Sequence, residues 1–325
     1  MTTHTRRTVL GGAVASAAAV SVAGGPAVAA AHSPGRRRRC TFVFAAGANG
    51  VSAGPHELAL LGHRCVGVDL PGHRQADGQF RVSYQAPQDL AALATERSPL
   101  AEVTPADHVA ATVDVVRRAA ALGDPVILVG SSIGGATATL VADEVPRLVD
   151  TLVYDAAYCC TALATPNEYM STPEAADSEV LALLGFVVAD PAVVGAIRSN
   201  WRTADEALLA AAKHALLDDG TDAELLAQLN TMAPDELTST GDTDARGNPR
   251  AWGRIPRAYI RHTRDRILPP ALQSRMIAEA DRLTPRNRFV VHDLDCAHLV
   301  SAARLGDYVR ILDRIACGRR SVARA

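Results

Sequence analysis

Val126-Ile127-Leu128-Val129-Gly130-Ser131-Ser132-Ile133-Gly134-Gly135 is the stretch whose reading decides the fold. Its first four residues are an apolar, largely β-branched run of the kind that forms a strand buried on both faces. Ala136-Thr137-Ala138-Thr139-Leu140-Val141 then reads as a helix of small residues. Between them stands Gly-x-Ser-x-Gly, a sharp strand-to-helix turn. A serine hydroxyl is a poor nucleophile until such a turn exposes it beside a base. Only Ser132 has glycines two residues away on both sides, Gly130 and Gly134, where side chains would collide with strand and helix. Ser132 is therefore the expected nucleophile, and Ser131 is not.

Outward from this turn the chain alternates strands and helices. Strands are expected over 40–45, 64–69, 151–155, 258–260 and 288–292, with helices over 56–61, from Thr104-Pro105 to about 120, and over 298–315. The segment 74–103 is irregular and polar. This rhythm predicts an α/β fold whose parallel sheet carries helices on both faces. Between 156 and 252 the alternation stops, and Leu-rich helical patterns separated by Pro and Gly take over. A helical insertion after a strand of a parallel sheet reads as a cap over the strands' carboxyl ends, where such sheets place ligands. The expected division is thus core over 40–155 and 253–318, cap over 156–252 and a tail over 319–325.

The first 31 residues read as a secretory signal. Arg6-Arg7 precedes a mildly apolar Ala/Gly/Val run, and Ala27-Val28-Ala29 offers a small-residue cleavage site. The paired arginines resemble a twin-arginine signal, so the expected transit partner is the twin-arginine export machinery and the destination is extracellular or periplasmic. The apolar run is short for a span, and no stable membrane anchor is expected after processing. Residues 32–39 form a basic arm.

The chain has 325 residues, enough for one large domain with an insertion, and a formal net charge of −2, which gives no electrostatic case for nucleic acid. Lys213 is the only lysine. Of the 6 cysteines, Cys40 with Cys65 and Cys296 with Cys317 are possible pairs, and Cys159-Cys160 read as buried thiols. Neither Cys-x-x-Cys nor His-x-x-x-His spacing occurs, so no metal and no cofactor are expected.

A serine nucleophile needs a base, and the base an orienting acid. His298 follows the last strand in Asp295-Cys296-Ala297-His298, where a loop leaves the sheet's carboxyl edge. Asp265 follows the 258–260 strand at the same edge and is the favoured acid; Asp155, ending an earlier strand, is the alternative. An oxyanion must be met by preorganised N–H groups. One is the amide of Ile133. The other is expected from the loop after the first strand, from Ala48, with Asn49 as second choice.

These residues carry a resemblance. In the order Ser132, Asp265, His298, and through Phe44 to Ala48, Val68 to His73, Gly130 to Gly135, Tyr259 to Ile277 and His298 to Ser301, the chain resembles the α/β-hydrolase superfamily. The branch it looks most like holds plant-type methylesterases and hydroxynitrile lyases. The resemblance implies an α/β-hydrolase fold with roughly six parallel strands. It also implies a serine hydrolase that cleaves a small-molecule carboxylic ester, lactone or thioester through an acyl-enzyme. Two departures bear on substrate: Ala46 precedes Gly47 where the family usually has His, and Ser131 precedes the nucleophile where it has His. The lyases of this branch use a lysine near the base, and Lys213 deep in the cap does not supply one. Two other readings stay open: acyl transfer, chain release or non-hydrolytic biosynthesis on the same fold, and a catalytically silent binding protein.

Overall fold

The computed structural model describes residues 39–50 and 54–318. The expected export signal, the expected basic arm up to residue 38 and the tail over 319–325 lie outside the described residues. No helix among the described residues is long and apolar enough to cross a membrane.

Among the described residues eight strands form: β1 (Thr41–Ala45), β2 (Arg64–Gly67), β3 (Val126–Ser131), β4 (Thr151–Asp155), β5 (Ile197–Arg198), β6 (Asp235–Glu236), β7 (Arg257–His262) and β8 (Val290–Leu294). The α-helices are α1 (Glu57–Leu60), α2 (Leu90–Leu93), α3 (Pro105–Ala120), α4 (Gly134–Glu144), α5 (Pro166–Met170), α6 (Pro191–Val194), α7 (Glu206–Leu216), α8 (Asp222–Thr231), α9 (Pro270–Leu283) and α10 (Ala302–Cys317). Six strands make one sheet in the order β2-β1-β3-β4-β7-β8, every neighbouring pair parallel.

Burial on both faces explains the unbroken apolar strands. Along β1 the side chains alternate: Val43 joins the core that also holds Leu128, Leu152, Val113 and Met276. Phe42 and Phe44 join the opposite core with Ile127, Val153, Leu58 and Leu312. Thr104 and Asp107 close a reciprocal capping box at the start of α3. The chain leaves β1 for β2 on one side and returns to β3 on the other, so the order reverses between β1 and β3. Ligands of open parallel sheets bind at such a reversal. There the loop after β1 faces the turn after β3, with Ala45 paired to Gly130.

Three expectations need correction. The last strand sits two residues further on than 288–292, because its register is set by β7, with Ala258 opposite Val290 and His262 opposite Leu294. The closing helix starts at Ala302 rather than at 298. Ser301 is extended at its N-cap, and the Ala302 amide donates to Glu224 of α8 at 2.8 Å; residues 295–301 are therefore loop. The segment between β4 and β7 is also not purely helical. The Leu181–Leu184 region forms a 3₁₀ turn, Val180–Phe186, and β5 and β6 make a small antiparallel ribbon. A buried ion pair holds that ribbon: Arg198 grips Asp235 through Nε at 2.6 Å and Nη2 at 2.8 Å. Its Nη1 donates to the carbonyls of Leu93 and Glu96.

The glycine spacing of the central turn has a measurable consequence. A Cβ on Gly134 would lie 2.3 Å from the Ala46 carbonyl oxygen and 2.6 Å from that of Ala45. Backbone cannot swing away as a side chain can, so Gly134→Ala pushes α4 off β1. A loss of about 1–3 kcal/mol is expected in urea unfolding. Gly306→Ala is the control, since a Cβ there meets only the far end of Arg310 at 3.6 Å; no loss is expected in that helix interior.

Candidate active site

Ser132 occupies the turn between β3 and α4 with φ 51, a left-handed conformation that costs a non-glycine residue about 1–3 kcal/mol. Its own backbone bonds hold it there. The Ser132 amide donates to the Asp155 carbonyl at 3.2 Å, and its carbonyl accepts from Gly135 at 3.1 Å and Tyr158 at 3.0 Å. The hydroxyl is thereby aimed along the carboxyl edge of the sheet.

At that edge the three expected side chains meet. His298 Nε2 lies 3.1 Å from Ser132 Oγ, and His298 Nδ1 lies 2.8 Å from Asp265 Oδ2. Asp265 is fully buried and His298 is 9% exposed, so water competes little for either bond. Asp265 Oδ1 accepts the amides of Ile267 at 2.8 Å and Leu268 at 2.9 Å. Gln273 of α9 reaches Oδ2 at 3.4 Å and also donates to the Leu268 carbonyl at 2.7 Å. With Oδ2 accepting from Nδ1–H, the neutral imidazole presents Nε2 as an acceptor to the serine hydroxyl.

The loop after β1 closes on the same hydroxyl. A Cβ on Gly47 would come within 3.0 Å of Ser132 Cβ, so only glycine lets the backbone approach this closely. Among the described residues no acceptor takes the amide of Ile133, at the start of α4, or that of Ala48. Asn49, the second choice as donor, is otherwise engaged. Its amide donates to Glu236 Oε2 at 2.6 Å, and its side chain donates to the Ala233 carbonyl at 2.9 Å. Its carbonyl accepts from Ala233 at 2.8 Å. Ala233 and Glu236, both from the segment between β4 and β7, thus grip the residue next to Ala48.

Asp155 does not face His298. Its Oδ1 lies 3.0 Å from His262 Nε2, and Oδ2 accepts the hydroxyls of Ser131 at 3.1 Å and Tyr308 at 2.9 Å. The role of alternative acid falls away on geometry. Sequence reasoning missed His262, Gln273 and Glu236; the one available signal was that His262 stands at the end of a strand three residues before Asp265.

Cys65, Cys159, Cys160 and Cys296 are free thiols, so neither Cys40–Cys65 nor Cys296–Cys317 is bridged. Burial pushes the Cys159 thiol up to about 12. Among the described residues no cluster of three His, Cys, Asp or Glu side chains is arranged to hold a metal ion.

A serine in a strand-to-helix turn, with an imidazole and a carboxylate in line at the carboxyl edge of a parallel sheet, defines a class of α/β proteins by fold and site together. The chain belongs to the alpha/beta hydrolase family, whose profile matches residues 42–310. No curated protein matches it in sequence. Among solved structures, it is similar to a pyrethroid hydrolase from Sphingobium faniae JZ-2, with 20% identity, TM-score 0.63, and 88% of this chain and 99% of that one covered. An extracellular alpha/beta-hydrolase from a Paenibacillus species, described as sharing homology with tobacco salicylic acid binding protein 2, gives 18%, 0.57, 86% and 99%. Polyneuridine aldehyde esterase gives 14%, 0.57, 86% and 100%. At such identities the likeness is one of fold.

Proposed function

We propose that this protein is a serine hydrolase that cleaves a small carboxylic ester, lactone or thioester through an acyl-enzyme. The observation that carries the proposal is the unbroken hydrogen-bond chain from Ser132 through His298 to Asp265, beside two amides that no acceptor among the described residues takes. Ser132 Oγ attacks the carbonyl carbon while His298 Nε2 takes its proton, and the amides of Ile133 and Ala48 receive the oxyanion. The C–O or C–S bond to the leaving group breaks as His298 returns the proton to it. Water, deprotonated by the same imidazole, then releases the acid and restores Ser132. Asp265 holds the ring in the tautomer both steps need. The names of two similar structures, a pyrethroid hydrolase and an aldehyde esterase, support ester cleavage. Arg6-Arg7 ahead of a Gly/Ala-rich run supports export of the folded enzyme by the twin-arginine route, and the 156–252 segment is proposed as the substrate-selecting cap.

The test is product analysis over p-nitrophenyl esters of increasing acyl length, with a panel of thioesters and lactones. One free carboxylic acid per alcohol or thiol released is the expected result. An acyl group recovered on an added alcohol or amine instead would assign transfer rather than hydrolysis. No turnover by folded protein on any member would leave a silent scaffold.

A further inference from the structure

Beside the proposed triad lies a second polar group that the reaction does not use. Asp155 and His262 face each other at 3.0 Å, with side chains 9% and 2% exposed. On the far side of the ring, His262 Nδ1 meets the Ala297 carbonyl oxygen at 2.8 Å. Counting donors places one proton on Nδ1 and one between Nε2 and Asp155. A carbonyl only accepts, so Nδ1 carries a proton. The Asp155 carboxylate already takes two hydroxyls, from Ser131 and Tyr308, and as an ionised acceptor it requires a proton on Nε2 as well. A neutral acid donating to a neutral Nε2 would fit the same distances, but the two hydroxyls donated to Asp155 favour the ionised carboxylate, so the ring is an imidazolium sealed against it. Burial alone would push His262 down, but the hydrogen bond and charge of Asp155 reverse this and hold it well above the usual histidine range. Burial likewise opposes the charge of Asp155, and His262 with the two hydroxyls keeps its carboxyl low. The groups facing the ring are Asp155 of β4 and the Cys296 thiol of the loop before His298, which burial pushes up. Ser131 of β3 and Tyr308 of α10 face it through Asp155.

We infer that Asp155 and His262 form a buried ion pair whose job is to position the catalytic residues, an inference that rests on the triad reading above. Three of the residues it joins stand close in the chain to that triad. Ser131 adjoins Ser132, Ala297 adjoins His298, and His262 lies three residues before Asp265. One ion pair therefore ties together the three segments, far apart in sequence, that must converge within hydrogen-bond reach. A neutral His262 has a single N–H and must release either Asp155 or Ala297. Releasing Ala297 frees the loop that carries the general base; releasing Asp155 loosens the partner of Ser131. Small displacements of reacting groups are expensive, about 100-fold in rate for an ångström.

The experiment is His262→Gln, with Asp155→Asn and the double variant, read by active-site-titrated kinetics and by ¹⁵N NMR of histidine-labelled protein. Wild type is expected to show one imidazole whose two ring nitrogens stay protonated well above the pH at which an ordinary histidine loses its proton, and this signal is absent from H262Q. In H262Q kcat falls about 10–100-fold while KM stays within about twofold, because no substrate-binding group has changed. The double variant is expected to be no slower than the worse single one. Labelling by a fluorophosphonate persists in H262Q at a reduced rate. An unchanged kcat per titrated site in folded H262Q overturns the positioning role, as does a singly protonated His262 in the wild-type spectrum. A wild type that neither turns over nor labels overturns the triad reading instead, and this role with it.

Discussion

Ser132→Ala is expected to cut turnover of p-nitrophenyl acetate by about 10⁵–10⁶-fold and to abolish fluorophosphonate labelling, with the fold intact. The size follows from what one atom does here. In the proposed mechanism Oγ is at once the nucleophile, the proton donor to His298 at 3.1 Å and the site of the covalent intermediate. Without it, the oxyanion amides and the binding surface supply only residual acceleration over water. The fold survives because the left-handed backbone at this position is held by main-chain bonds to Asp155, Gly135 and Tyr158, none of which uses the hydroxyl. Alanine adopts φ 51 at a strain similar to serine's. Circular dichroism and urea midpoint should therefore match wild type. Labelling that survives in Ser132→Ala would place the reactive nucleophile elsewhere.

The parts of this fold that were legible in the sequence are those whose physics is local. Val126 to Val129 read as a buried strand because each side chain faces apolar neighbours on one side of the sheet or the other. The start of α3 read correctly because Thr104 and Asp107 cap one another within four residues. Ser132, Asp265 and His298 were individually legible since each follows a strand, and parallel strands share one carboxyl edge. What the sequence hid depends on partners from elsewhere. The start of α10 is set by Glu224, a residue of α8, and His298-Leu299-Val300-Ser301 gives no warning of it. The two-residue strands of the ribbon carry no periodicity and stand on the Arg198–Asp235 pair. Asn49 looks like an oxyanion donor until Glu236 is seen on its amide. His262 becomes intelligible only once β4 and β7 are known to be neighbours, for nothing in the linear chain joins it to Asp155.

Asp265→Asn is the second large effect, a fall in kcat of about 10⁴-fold from a change of nearly identical shape. Two backbone donors, the amides of Ile267 and Leu268, require an acceptor where Oδ1 now sits. They fix the asparagine oxygen on that side. Its nitrogen then takes the place of Oδ2 and donates toward His298 Nδ1 across the present 2.8 Å. The ring must answer by accepting there, which moves its proton to Nε2. An Nε2–H donates to Ser132 Oγ and cannot take the proton the attack releases. The base is thus disabled by its tautomer, with its position unchanged. Gln273 Nε2, now facing another donor at 3.4 Å, adds a smaller repulsion. Because the wrong tautomer affects the chemical step alone, KM should change little, and fluorophosphonate should still label the serine, only slowly. Retention of activity within about tenfold would mean that His298 does not depend on Asp265 for its orientation, and the in-line arrangement at the sheet edge would then be geometry without the proposed chemistry.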